Sequence, residues 1–114
     1  MKKIFLVLTF IAATFILSKE AFSLFRPPIN GNLTLTTSPS RLPNFEVANC
    51  TLQAASGNSG IIYIGSSIVT NASGGNAGIS LAAGAAISNI SVNNSNWIYV
   101  VADTGGDVVR YLCN

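Results

Sequence analysis

Beyond residue 23, the side chains best suited to chemistry are two cysteines, Cys50 and Cys113, and three carboxylates, Glu46, Asp103 and Asp107. The sequence holds no histidine, which removes the usual general base, the usual triad member and the commonest metal ligand. Asp103 and Asp107 bracket the turn "DTGGD", where Asp and Gly are favoured by turn geometry alone. Two carboxylates with loop carbonyls are hard oxygen ligands suited to calcium, but the further ligands that an EF-hand loop sets at fixed positions are missing. A glycosidase pair needs two carboxyls across a cleft, and the tip of a hairpin does not offer that. "GGNAG" (residues 74–78) is followed by neither Lys-Ser/Thr nor a helix, so it reads as a flexible turn and not as a phosphate cradle. These residues point to no enzyme, no metal and no cofactor.

What the cysteines do depends on the compartment. "MKKIFLVLTFIAATFILSKEAFS" (residues 1–23) has the layout of a secretory signal: Lys2 and Lys3, an apolar run over residues 4–17, and small residues at Ala21 and Ser23. The run is shorter than the roughly 20 residues that span a bilayer. Residues 1–23 are therefore expected to be a signal peptide cut after Ser23, the alternative being an uncut N-terminal anchor and the one membrane attachment. Export to the periplasm, the cell exterior or a virion surface favours a Cys50–Cys113 disulfide, and the alternative is two buried free thiols acting as small hydrophobes.

Three of the basic residues, Lys2, Lys3 and Lys19, leave with that segment. Arg26, Arg41 and Arg110 then balance Glu46, Asp103 and Asp107. Three scattered arginines cannot displace counterions from a phosphate backbone as a basic cluster does, so nucleic-acid binding is excluded. A neutral chain of this size has a modest core and little self-repulsion, which suits self-association or docking on a larger assembly.

The elements that must position these residues follow a period of two. In "NLTLTT" (residues 32–37), Leu33 and Leu35 share one face; in "VANCTLQA" (residues 47–54), Ala48, Cys50, Leu52 and Ala54 do. "IIYIG", "GISLA", "ISNISV", "WIYVVA" and "DVVRYL" follow, separated by stretches rich in Gly, Ser and Asn. Seven to eight short strands so spaced predict a small antiparallel β-sandwich, jelly-roll-like, over residues 32–114, with residues 24–31 as a linker after the N-terminal apolar helix. "WIYVVA" and "IIYIG" are apolar on both faces, so both strands are expected to be central or covered on two sides. The cover is either a neighbouring subunit or a loop such as "SPSRLPNF" (residues 38–45). Tyr63, Trp97 and Tyr99 are the aromatics to watch: packed in the core, or exposed and able to stack on sugar rings, with core packing favoured for Trp97. Asn-x-Ser/Thr acceptors occur at Asn32, Asn49, Asn71, Asn89 and Asn93, mostly as expected by chance in so Asn-, Ser- and Thr-rich a chain.

Several motifs over residues 30–112 together resemble a small β-module of tailed-bacteriophage structural proteins. They are Leu42-Pro43 after a threonine-rich strand, Asn58-Ser59-Gly60, Tyr63-Ile64-Gly65, Leu81 to Gly84, Ile98-Tyr99-Val100 and Val109 to Leu112. The resemblance implies a non-enzymatic virion surface part of the capsid-decoration or head-fibre type. The other expectation, drawn from the aromatics and neutral polar loops, is an exported adhesive module that binds a carbohydrate or a surface.

Overall fold

Alternation of apolar and polar residues yields eight strands in a computed structural model that describes residues 27–114. The expected signal peptide or anchor lies outside the described residues. The strands are β1 (Ile29–Thr34), β2 (Ser40–Arg41), β3 (Asn49–Ala54), β4 (Ile62–Gly65), β5 (Ile79–Leu81), β6 (Ala86–Ser91), β7 (Tyr99–Ala102) and β8 (Val108–Cys113). A single 3-10 turn, Ser95–Trp97, precedes β7. Among the described residues no helix is long and apolar enough to cross a membrane.

The strands form two four-stranded antiparallel sheets, ordered β1-β8-β3-β6 and β2-β7-β4-β5. The chain changes sheet at every connection except β4–β5. First pairs with last, second with seventh, third with sixth and fourth with fifth. This is one long folded ribbon of strand pairs, rolled so that β3 also meets β8 and β4 also meets β7. The turn "DTGGD" consequently joins strands of different sheets; it is an arch over the end of the sandwich and not the hairpin tip its composition suggests. Gly106, with φ 95°, makes its sharp corner in the left-handed region that favours glycine.

Alternation places Leu35, Leu52, Ile62, Val100 and Val109 fully inside, with Leu42, Cys50 and Cys113 beside them. β1 begins at Ile29, inside the stretch expected to be linker, and alternates strictly; at its inward Gly31 the Tyr111 ring lies where a Cβ would stand. Two local departures from strict alternation have physical causes. Ala48 is exposed while Val47 packs on the core, since the amides of Ala48 and Asn49 both donate to the Asn114 carbonyl, a bulge that resets the faces. In β6, Ile87 and Ile90 both pack on the core although three positions apart. Asn89, at φ 60°, takes up the extra residue as a bulge opposite β3.

Cys50 and Cys113 are bonded, as directly opposed residues of neighbouring strands with Cα atoms 4.1 Å apart. The flanking pair Asn49 and Asn114 exchanges the backbone bonds, so the cysteines occupy the closer, non-hydrogen-bonded site. The bridge closes a sequence separation of 63 residues, for which the chain-entropy model gives about 4 kcal/mol of stabilisation. Replacing both cysteines, Cys50→Ala with Cys113→Ala, should lower the unfolding free energy by roughly that amount in urea titration; a loss under about 1 kcal/mol would contradict the chain-entropy account.

Candidate binding face

The carboxylates that invite a catalytic reading are engaged in holding loops. Asp107 is buried, and its two oxygens accept the amides of Ser59 (2.9 Å) and Gly60 (3.0 Å). Beside it, the Asn58 side chain imitates a strand: its Nδ2 donates to the Val108 carbonyl (2.9 Å) and its Oδ1 accepts the Val108 amide (2.8 Å). The arch after β7 and the turn after β3 are thereby joined across the end of the sandwich. Asp103 clips another pair of elements. One oxygen accepts the Tyr63 hydroxyl (3.0 Å) and the other the Ala72 amide (3.2 Å).

That second clip fixes the cover of the β2-β7-β4-β5 sheet. Tyr63 and Val101, on the outward side of β4 and β7, are buried beneath Val69 with Tyr99 at the margin. The covering piece is the connection between β4 and β5, residues 66–78, and neither a second subunit nor residues 38–45 is needed to bury this apolar row. Val69 fits because Gly65 and Gly78 lack side chains where its methyl group lies. The loop is braced internally. Thr70 N–H donates to the Asn76 carbonyl (3.0 Å), the Asn76 amide returns to Thr70 Oγ1 (2.9 Å), and Asn71 Nδ2 reaches the Ala102 carbonyl (3.3 Å).

Between this cover and the segment before β2 lies an open cleft of about 400 Å³. Thr37, Ser38 and Pro39 form one wall, residues 67–71 with Ser73 and Gly74 the other, and Val101 the floor. No charged side chain lines it. Further along the same face, Tyr99 on β7 pairs with Arg41 on β2, whose guanidinium stands 6.0 Å from the ring centroid, at the outer limit of a cation–π contact.

Trp97 does not pack in the core, where the apolar character of its neighbours placed it. It is 58% exposed, because residues 95–97 form a 3-10 turn and not the first residues of a strand. Ser95 holds that turn: buried, it donates its hydroxyl to the Pro43 carbonyl, accepts the Phe45 amide (3.0 Å), and gives its own amide to the Phe45 carbonyl (3.0 Å). Asn94 caps the turn, accepting the Asn96 amide (3.1 Å). Of the three aromatics singled out, Tyr63 is thus a buried clip, Tyr99 half-buried and Trp97 outward. Ser95 lies in a stretch whose composition reads only as a turn, and the Asn58-Ser59-Gly60 motif does not by itself reveal that Asn58 pairs with Val108.

Among the described residues no group of three or more Cys, Asp or Glu side chains is arranged to hold a metal. Comparison of the chain with family models, with curated proteins and with solved structures finds no match.

Two predictions follow from the clips. Asp107→Ala strips the partly buried amides of Ser59 and Gly60 of their acceptor and should cost about 1–3 kcal/mol in chemical denaturation, with Asp107→Asn, which keeps one acceptor, intermediate. Tyr63 is held above its ordinary value near 10 by desolvation first, then by its hydrogen bond to Asp103 and that carboxylate's charge. The folded state therefore keeps the proton better than the unfolded one. The contribution is whole below about pH 10 and disappears as pH rises through the raised value, so Tyr63→Phe should show a shallower alkaline decline in stability than the parent.

Proposed function

We propose that this chain is a non-catalytic structural subunit of a surface assembly, of the virion-decoration or head-fibre kind its motifs resemble, working outside the reducing cytoplasm. Eight strands in two antiparallel sheets of order β1-β8-β3-β6 and β2-β7-β4-β5 support a jelly-roll reading, an architecture common among capsid and lectin domains. Architecture alone does not assign a role. The observation that carries the reading is the outer face of the β1-β8-β3-β6 sheet. Asn30, Asn32, Asn49, Gln53 and Ser88 stand exposed there around Leu112, which is 51% exposed on a strand at the interior of the sheet. Arg110 is the one charged residue on its four strands. A flat, nearly neutral face with a central leucine can be covered by another protein surface without stranding charge. The disulfide is compatible with an oxidising compartment.

The exposure of Trp97 supports a second reading, an exported module that contacts a glycan, since an outward indole with a tyrosine and an arginine nearby offers a stacking platform.

Sedimentation of the full chain at tens of micromolar tests the first reading. Association that weakens about tenfold or more in Leu112→Lys is expected; a strict monomer, from a gene lying in a polysaccharide or secretion operon and not beside capsid, portal or tail genes, would overturn it.

A further inference from the structure

The outer face of the β2-β7-β4-β5 sheet carries two features on one line. Val101 floors the cleft, and Tyr99 projects from the same side of the same strand about 7 Å away, two residues back. Two residues before Tyr99, Trp97 stands exposed in the 3-10 turn that leads into the strand, and Arg41 flanks Tyr99 on β2. We infer that this line is a binding track for a neutral saccharide chain, with one ring seated in the cleft and a following ring on the aromatic end. The inference rests on the second functional reading, that the chain contacts a glycan, and adds where it binds and of what class.

Four properties of the cleft argue for that ligand. Its volume of about 400 Å³ falls within the ordinary range of small-ligand sites. Its lining carries no charge, so a phosphate, a uronate or an amino sugar in its charged form would enter without a countercharge and lose hydration for nothing. The side-chain hydroxyls of Thr37, Ser38 and Ser67 make no hydrogen bond within the described residues, which leaves three groups, each able to donate and accept, facing a space they share. Pro39 and Ile68, the latter 67% exposed, supply apolar surface of the kind that the C–H face of a sugar ring covers. Alternating hydroxyls and small apolar patches match a polyol ring better than they match a peptide, whose charged or bulky side chains have no partner here.

The wall formed by residues 67–74 is also pre-set. Asp103, Asn71 and Asn76 tie it to the sheet and to itself, so little loop ordering remains to be done when a ligand arrives. Trp97 is the one tryptophan in the sequence, so its fluorescence reports the aromatic end of the track alone.

The test titrates the full chain with neutral oligosaccharides built on glucose, galactose and N-acetylglucosamine, and with polygalacturonate, by calorimetry and Trp97 fluorescence. At least one neutral oligosaccharide should bind and shift the fluorescence, with polygalacturonate silent. Ser67→Phe, an exposed position where the ring would fill the cleft, should weaken binding about tenfold or more, and Ser38→Phe on the opposite wall should do the same. Binding unchanged in both variants but lost in Trp97→Ala would overturn the cleft while leaving the glycan reading standing. Binding of polygalacturonate alone would overturn the neutral ligand class. Failure of every neutral oligosaccharide and of polygalacturonate to bind would remove both the track and the reading beneath it.

Discussion

The last strand of the chain occupies the slot between the first and the third, and the rest of the structure depends on its being held there. β8 cannot dock until β1 and β3 are near, because it pairs with both. Its two ends are then fixed by different means: Asp107, just before the strand, gathers the amides of the turn at residues 59–60, and Cys113, at its end, is bonded to β3. Nearly all the pairings that make this sheet join residues far apart in sequence, so closure entropy is paid before contacts reward it, a topology that folds slowly. A covalent link across that closure offsets a cost that a core of this size meets with little to spare.

The two outer faces serve different ends because the chain treats them differently. Over the β2-β7-β4-β5 sheet, the connection after β4 folds back, and Val69 closes on Tyr63 and Val101. Asp103 links that loop to the sheet through Tyr63, so the acid that looks like a turn residue is the join between cover and strand. Among the described residues the opposite sheet has no comparable cover, and its outward residues are mostly amides and hydroxyls, with Leu112 and Arg110 on β8. One face is therefore shaped into a cleft with an aromatic margin, and the other left broad and neutral.

Much of this was legible in the residues. Alternation in "NLTLTT" correctly put Leu33 and Leu35 on one face, which packs on the core, the two-sided "IIYIG" and "WIYVVA" became the central strands of their sheet, and the expected Cys50–Cys113 disulfide is present. What escaped were features set by partners distant in sequence. β2 has two residues and no pattern of its own; it exists because Ser40 and Arg41 lie beside Val100 and Tyr99. Trp97 reads as apolar and buried until Ser95 is seen bonded to Pro43 and Phe45, fifty residues away in the chain. Asp107 has the composition of a turn, and only the fold brings Ser59 and Gly60 to it. Such long-range hydrogen bonds leave no periodicity behind, whereas burial does.

The left-handed Asn89 in β6 has a consequence for how copies of the molecule can meet. A bulged margin is a poor template for an incoming strand, and the margins formed by β2 and β5 are two and three residues long. β1, six residues long, is the remaining border where a regular ladder can continue. Among the described residues, regular edge-to-edge pairing is thus offered at one border only, which disfavours open-ended growth by strand addition.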